Sequence, residues 1–96
     1  MKTKVIFRTW KRTGEVIALF PEIPHDRAGD FCLSYMHTGQ HGAASPCLDW
    51  ITRPATPDES APLRRELEGI GYNLVPVLRV TFAMHKARRA ATLAPA

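Results

Sequence analysis

Apolar and polar positions alternate from Val5 to Trp10, the pattern of an extended strand. Val5, Phe7 and Thr9 share one side; Ile6, Arg8 and Trp10 share the other. Lys11-Arg12-Thr13-Gly14 then reads as a hairpin link, with Gly14 free to take positive φ. Glu15 to Phe20 returns, apolar on both sides, which predicts a strand inside the sheet. Pro21 and Pro24 lack an N–H and interrupt pairing, so residues 21–30 read as a loop. Phe31 to Thr38 predicts a third strand, with Phe31, Leu33, Tyr35 and His37 on one face and Cys32, Ser34, Met36 and Thr38 on the other. Gly39 to Pro46 reads as loop. Cys47 to Thr52, rich in β-branched and aromatic residues, would add a short further strand.

Thr56-Pro57-Asp58-Glu59 is a helix start. Thr56 can cap, Pro57 suits the first helical position, and Glu59 can reach back to the Thr56 N–H. Leu63, Leu67 and Ile70 form one apolar stripe, and Arg64, Arg65 and Glu68 face water. Pro62 conflicts with a regular helix, because losing its bond to residue 58 costs roughly 3 kcal/mol. Gly71 is the expected left-handed stop. Tyr72 to Phe82 predicts the last strand, with Pro76 pushing its first half to an edge. From His85 on, the chain is Ala-rich and basic without an apolar stripe, so residues 85–96 read as a disordered tail on a domain of residues 1–84.

The order β-β-β-(β)-α-β predicts an α+β fold. It is a small antiparallel sheet of four strands, or five with Cys47–Thr52, and one helix packed on one face. Trp10 and Ile17 on the uncovered face require a second layer, from a second copy or from the tail.

Ninety-six residues suit one domain, and an apolar share of 45% is ordinary for a globular chain. Val5-Ile6-Phe7 is too short for a signal-peptide core, and two cysteines make no disulfide framework, so reduced thiols in the cytoplasm and no membrane association are expected. The net charge of +4 is unevenly spread. Residues 1–12 and 79–96 carry nine cations and no acid, whereas residues 13–78 hold four Arg and all nine acids. If the first and last strands are neighbours, the ends form one positive edge.

The densest chemistry lies in Ser34-Tyr35-Met36-His37-Thr38-Gly39-Gln40-His41-Gly42. Its expected binding residues are Tyr35, His37, Gln40 and His41, gathered where a strand runs into a glycine-bearing loop. Cys32, His37, His41 and Cys47 are zinc-type ligands, but no Cys-x-x-Cys knuckle is present and strand parity sets Cys32 opposite His37. No metal and no other cofactor is therefore expected. A cysteine paired with a loop histidine, or Ser34 or Ser45 with His41, would be the nucleophilic options, with Asp30 or Asp49 to orient the imidazole. None sits in a nucleophile motif, so no catalytic residue is assigned. Gly39 and Gly42 are not followed by the Lys and Ser/Thr of a phosphate loop.

The run Val16 to Pro24, then Cys32-Leu33-Ser34-Tyr35, His37 to Ala44, Pro54-Ala55-Thr56-Pro57 and Leu67 to Leu74, resembles a family of short uncharacterised bacterial proteins found on chromosomes, plasmids and other mobile elements. The resemblance spans about residues 4–80; Pro62 departs from it, and it implies no activity, ligand or catalytic residue.

The resulting expectation is a non-enzymatic binding or accessory protein that acts through protein–protein contact, self-association included. The alternative is nucleic-acid binding by Lys4, Arg8, Lys11, Arg12, Lys86, Arg88 and Arg89, with Phe7 or Trp10 available to stack.

Overall fold

The computed structural model describes residues 2–36, 40–46 and 50–93. Along the chain lie β1 (Lys2–Trp10), β2 (Val16–Pro24), β3 (Cys32–Met36), β4 (Gln40–Ala44), β5 (Thr52–Pro54), α1 (Pro57–Ile70), β6 (Asn73–Pro76) and α2 (Phe82–Leu93). The class is α+β and the sheet is mostly antiparallel, in the order β4-β3-β2-β1-β5. Among the described residues there are six strands and two helices, so the expectation of four or five strands and one helix falls short by one or two strands and by one helix.

The β1–β2 hairpin closes where the sequence places it. Gly14 sits at φ 76° and its N–H donates to the Trp10 carbonyl at 2.8 Å. Pairing then runs from Thr9↔Val16 to Ile6↔Leu19. The far flank of β1 is shared. β5 pairs antiparallel with Arg8–Trp10, and β6 pairs parallel with Lys2–Val5. A parallel neighbour needs a crossover, and α1 is the element that carries the chain from β5 round to β6.

Two apolar clusters fill the two faces. Val5, Ala18, Phe20, Tyr35 and Leu74 pack with Leu63 and Leu67 of α1. Ile6, Ile17, Leu19 and Cys32 form the opposite cluster, joined by Trp10, Met36, Val77 and Val80. α2 packs along β2. Val77 and Val80, in the segment between β6 and α2, pack against this second cluster beside Trp10.

α1 starts as the sequence predicts. The Thr56 hydroxyl accepts from the Glu59 N–H at 3.2 Å, and Glu59 Oε1 accepts from the Thr56 N–H at 2.9 Å. Pro62 neither ends nor delays the helix. Asp58 and Pro62 are both exposed, so the carbonyl deprived of its donor lies on the solvent side. Ile70 does not join the buried stripe; it is 56% exposed in the last turn.

Five further segments depart from the sequence reading. Residues 21–24, read as the start of a loop, continue β2, and the two prolines are accommodated by a register shift between Phe20 and Pro24. The third strand is shorter than Phe31–Thr38: it begins at Cys32, and Phe31 is exposed. Gln40–Ala44 is a strand rather than loop, because pairing with β3 overrides the weak strand preference of Gly and Ala. Of Cys47–Thr52, residues 47–49 lie outside the described residues, Trp50 and Ile51 form a turn, and strand structure starts only at Thr52. The last strand is cut to Asn73–Pro76, and residues 82–93, read as strand end and tail, are helical. The start signal is Thr81, whose hydroxyl accepts from the Met84 N–H at 3.2 Å.

Candidate binding surface on the first helix face

Register places Tyr35 of β3 directly across from His41 of β4. Their rings tilt together, 4.8 Å between centroids at 59°. Tyr35 is buried, and its hydroxyl donates to Glu66 Oε1 of α1 at 2.6 Å. That hydrogen bond to a carboxylate holds the phenol above its ordinary value of 10, and burial adds to the effect.

The α1 stop delivers the fourth member. Gly71 takes φ 114°, its N–H donates to the Glu68 and Leu67 carbonyls, and the Tyr72 N–H donates to Leu67 O at 3.1 Å. This left-handed cap turns Tyr72 back onto the sheet. Its ring stacks on Phe20 at 5.0 Å and 12°. Its hydroxyl lies 2.9 Å from His41 Nε2, the tautomer deciding which group donates. His41 is exposed, while Tyr72 and Glu66 are half-buried. The surface therefore offers an imidazole, a phenol and a carboxylate edge, all pinned by ring packing or hydrogen bonds.

Of the residues singled out from sequence, Tyr35 and His41 come together. His37 lies outside the described residues. Gln40 pairs with Met36 in the ladder, and its side chain is likewise outside the described set. Glu66 and Tyr72 were missed. The available signal for Tyr72 was its place one residue after the left-handed Gly71, where a helix stop commonly tucks an apolar side chain back. Glu66 carries no such signal; only the fold brings α1 beside β3.

Cys32 belongs to the opposite cluster and His41 to this face, so the sheet separates these two zinc-type residues. Cys47 is outside the described residues. Ser34 is also separated from His41. It neighbours Tyr35 on the alternating strand, and its hydroxyl donates to Gly42 O at 2.9 Å.

Among the basic residues named for nucleic acid, one is withdrawn from the surface and most of the others are engaged within the chain. Arg88 is buried, with 1% exposure, and cannot reach a phosphate. Arg8 donates to Thr52 Oγ1 at 3.0 Å and to Thr52 O at 2.9 Å, stapling β1 to β5. Lys4 pairs with Glu22 at 3.3 Å and Arg89 with Asp30 at 3.7 Å. Lys11 Nζ donates to Trp50 O at 3.2 Å, Lys86 lies 5.9 Å above the Phe82 ring, and Arg12 is exposed. Phe7 and Trp10 each pack against a core cluster, on opposite faces.

No family model, curated protein or solved structure matches this chain. Among the described residues, no helix is long and apolar enough to cross a membrane.

Proposed function

We propose that this chain is a small non-enzymatic binding protein that docks a protein partner on the Tyr35–His41–Glu66–Tyr72 surface. The observation that carries the reading is His41. It is exposed on the outermost strand, yet held by the Tyr72 hydroxyl and the Tyr35 ring. An exposed side chain held in one orientation loses little freedom on binding, which favours recognition. Aromatic rings with polar tips are the residue types that anchor protein interfaces. The nucleic-acid alternative is weakened by the burial of Arg88 and the carboxylate partners of Lys4 and Arg89.

The test is comparative capture with immobilised wild type, His41→Ala, Tyr72→Phe and a Lys11→Ala/Arg12→Ala control, each verified as folded by circular dichroism. A partner held by wild type and control but lost with His41→Ala and weakened with Tyr72→Phe supports the reading. A partner set indifferent to both changes overturns it. Salt-sensitive retention of nucleic acid, lost only in the Lys11/Arg12 control, also overturns it and establishes the alternative.

A further inference from the structure

α2 packs along β2, and its anchor is a buried cation. Arg88 Nε donates to Gly29 O at 2.7 Å, Nη1 to Pro21 O at 2.9 Å, and Nη2 to His85 Nδ1 at 2.8 Å. None of these acceptors carries a charge. A guanidinium does not shed its proton in a protein, so burial leaves it charged and dependent on its hydrogen bonds. The fit around it is close. Gly29 has φ 75°, and a Cβ there would lie 3.1 Å from Arg89 Cα and 3.2 Å from Thr92 Cγ2. Only a glycine lets the loop press against α2 and present its carbonyl to Arg88.

His85 can accept from Arg88 only while its Nδ1 lone pair is free, that is, with a neutral ring. A proton on Nδ1 would set N–H against N–H and a second positive charge against the guanidinium. We propose that α2 is a proton-sensitive cover, latched by the Arg88–His85 contact and loosened from the sheet when His85 takes up a proton.

The surrounding charges support this direction. On α2 itself are Arg88 and Arg89, with Lys86 lying over Phe82. The facing loop holds Asp30, committed to Arg89 at 3.7 Å, and His25, Asp26 and Arg27 beside Thr92. On the strands below, Lys4 and Glu22 pair with each other. Among the described residues, no carboxylate bonds to His85 to hold an imidazolium. Burial, then Arg88, then Arg89, hold its pKa below the ordinary 6.5. A group depressed in the folded state and ordinary when released keeps its full stabilising effect above pH 6.5 and loses it as pH falls below that value. Loosening would expose the α2 side chains buried in the docked state, Met84 and Arg88.

The test is residue-resolved amide exchange, expressed as protection factors, at pH 7.5 and 5.5, with an NMR titration of His85 in the same protein. Protection over residues 82–92 should fall by up to about tenfold in wild type. That is the most one imidazole with an ordinary pKa in the released state supplies over this interval. Amides of β1 to β3 should hold. His85→Asn offers an uncharged oxygen near the Nδ1 position and should abolish the pH dependence while keeping α2 docked. Three results would overturn the proposal: protection in α2 that ignores pH, the same dependence in His85→Asn, or a His85 titration at or above 6.5. The wild-type titration and exchange decide the matter even where His85→Asn does not fold.

Discussion

Replacing Leu67 by Ala probes the placement of α1 most directly. Leu67 is fully buried and packs with Val5, Phe20, Tyr35, Leu63 and Leu74. Truncation removes three carbon atoms, worth about 2.4 kcal/mol at roughly 0.8 kcal/mol per methylene. A cavity term adds to that, because the β-sheet behind the side chain cannot relax into the space as a loop would. The expected cost is about 3–4 kcal/mol, within the usual range for buried Leu→Ala changes. For a domain of this size that lowers the melting temperature by roughly 15–25 °C. Ile70→Ala is the internal control. Ile70 is 56% exposed, and alanine is the better helix former, so the change should stay within about 0.5 kcal/mol. Urea unfolding followed by far-UV circular dichroism measures both variants, and an unchanged denaturant slope shows that the midpoint shift reports stability. If Leu67→Ala lies within 1 kcal/mol of wild type, or Ile70→Ala costs as much as Leu67→Ala (about 3 kcal/mol), the helix is docked by a different face.

Thr9 is fully buried and its hydroxyl finds no partner among the described residues, so Thr9→Val, which keeps the shape, should raise stability by about 1 kcal/mol in the same urea assay. Gly29→Ala should be distinctly worse than Gly14→Ala in thermal unfolding. Both positions have positive φ, at a cost of about 1–2 kcal/mol for a side chain, but only at Gly29 would the new carbon strike α2. Glu59 is pushed down from 4.5 to about 2, first by Arg53 and then by the Thr56 N–H. Its contribution is therefore complete above pH 4.5 and is lost as pH falls toward 2; Glu59→Gln should flatten that part of a stability–pH curve.

Where local chemistry and tertiary structure agree, the chain was readable. The β1–β2 hairpin follows from alternation and Gly14, and α1 from the Thr56–Glu59 box and Gly71. Tyr35 and His41 were found because they lie six residues apart on one segment. They meet, however, only because Gln40–Ala44 pairs as a strand, which Gly42, Ala43 and Ala44 do not advertise. Glu66 and Tyr72 were missed because their partners are 31 residues away in sequence, across a pairing of helix and sheet that periodicity does not encode.

The largest misreading, α2, has a specific physical origin. A helix is ordinarily recognised by an apolar stripe, and this one buries Met84 and, four residues on, Arg88. The position that an apolar side chain would occupy is filled by a cation whose hydrogen bonds go to two backbone carbonyls and a neighbouring imidazole. Counted as a surface charge, Arg88 made the segment look like a solvated tail. Counted as a donor, it is what ties α2 to β2 at Pro21 and to the loop before β3 at Gly29. The same substitution of hydrogen bonds for apolar contact makes the attachment sensitive to protons, because a leucine at position 88 would hold α2 without regard to the state of His85. The residue that hid the helix from periodicity is thus also the one that gives it a switchable contact.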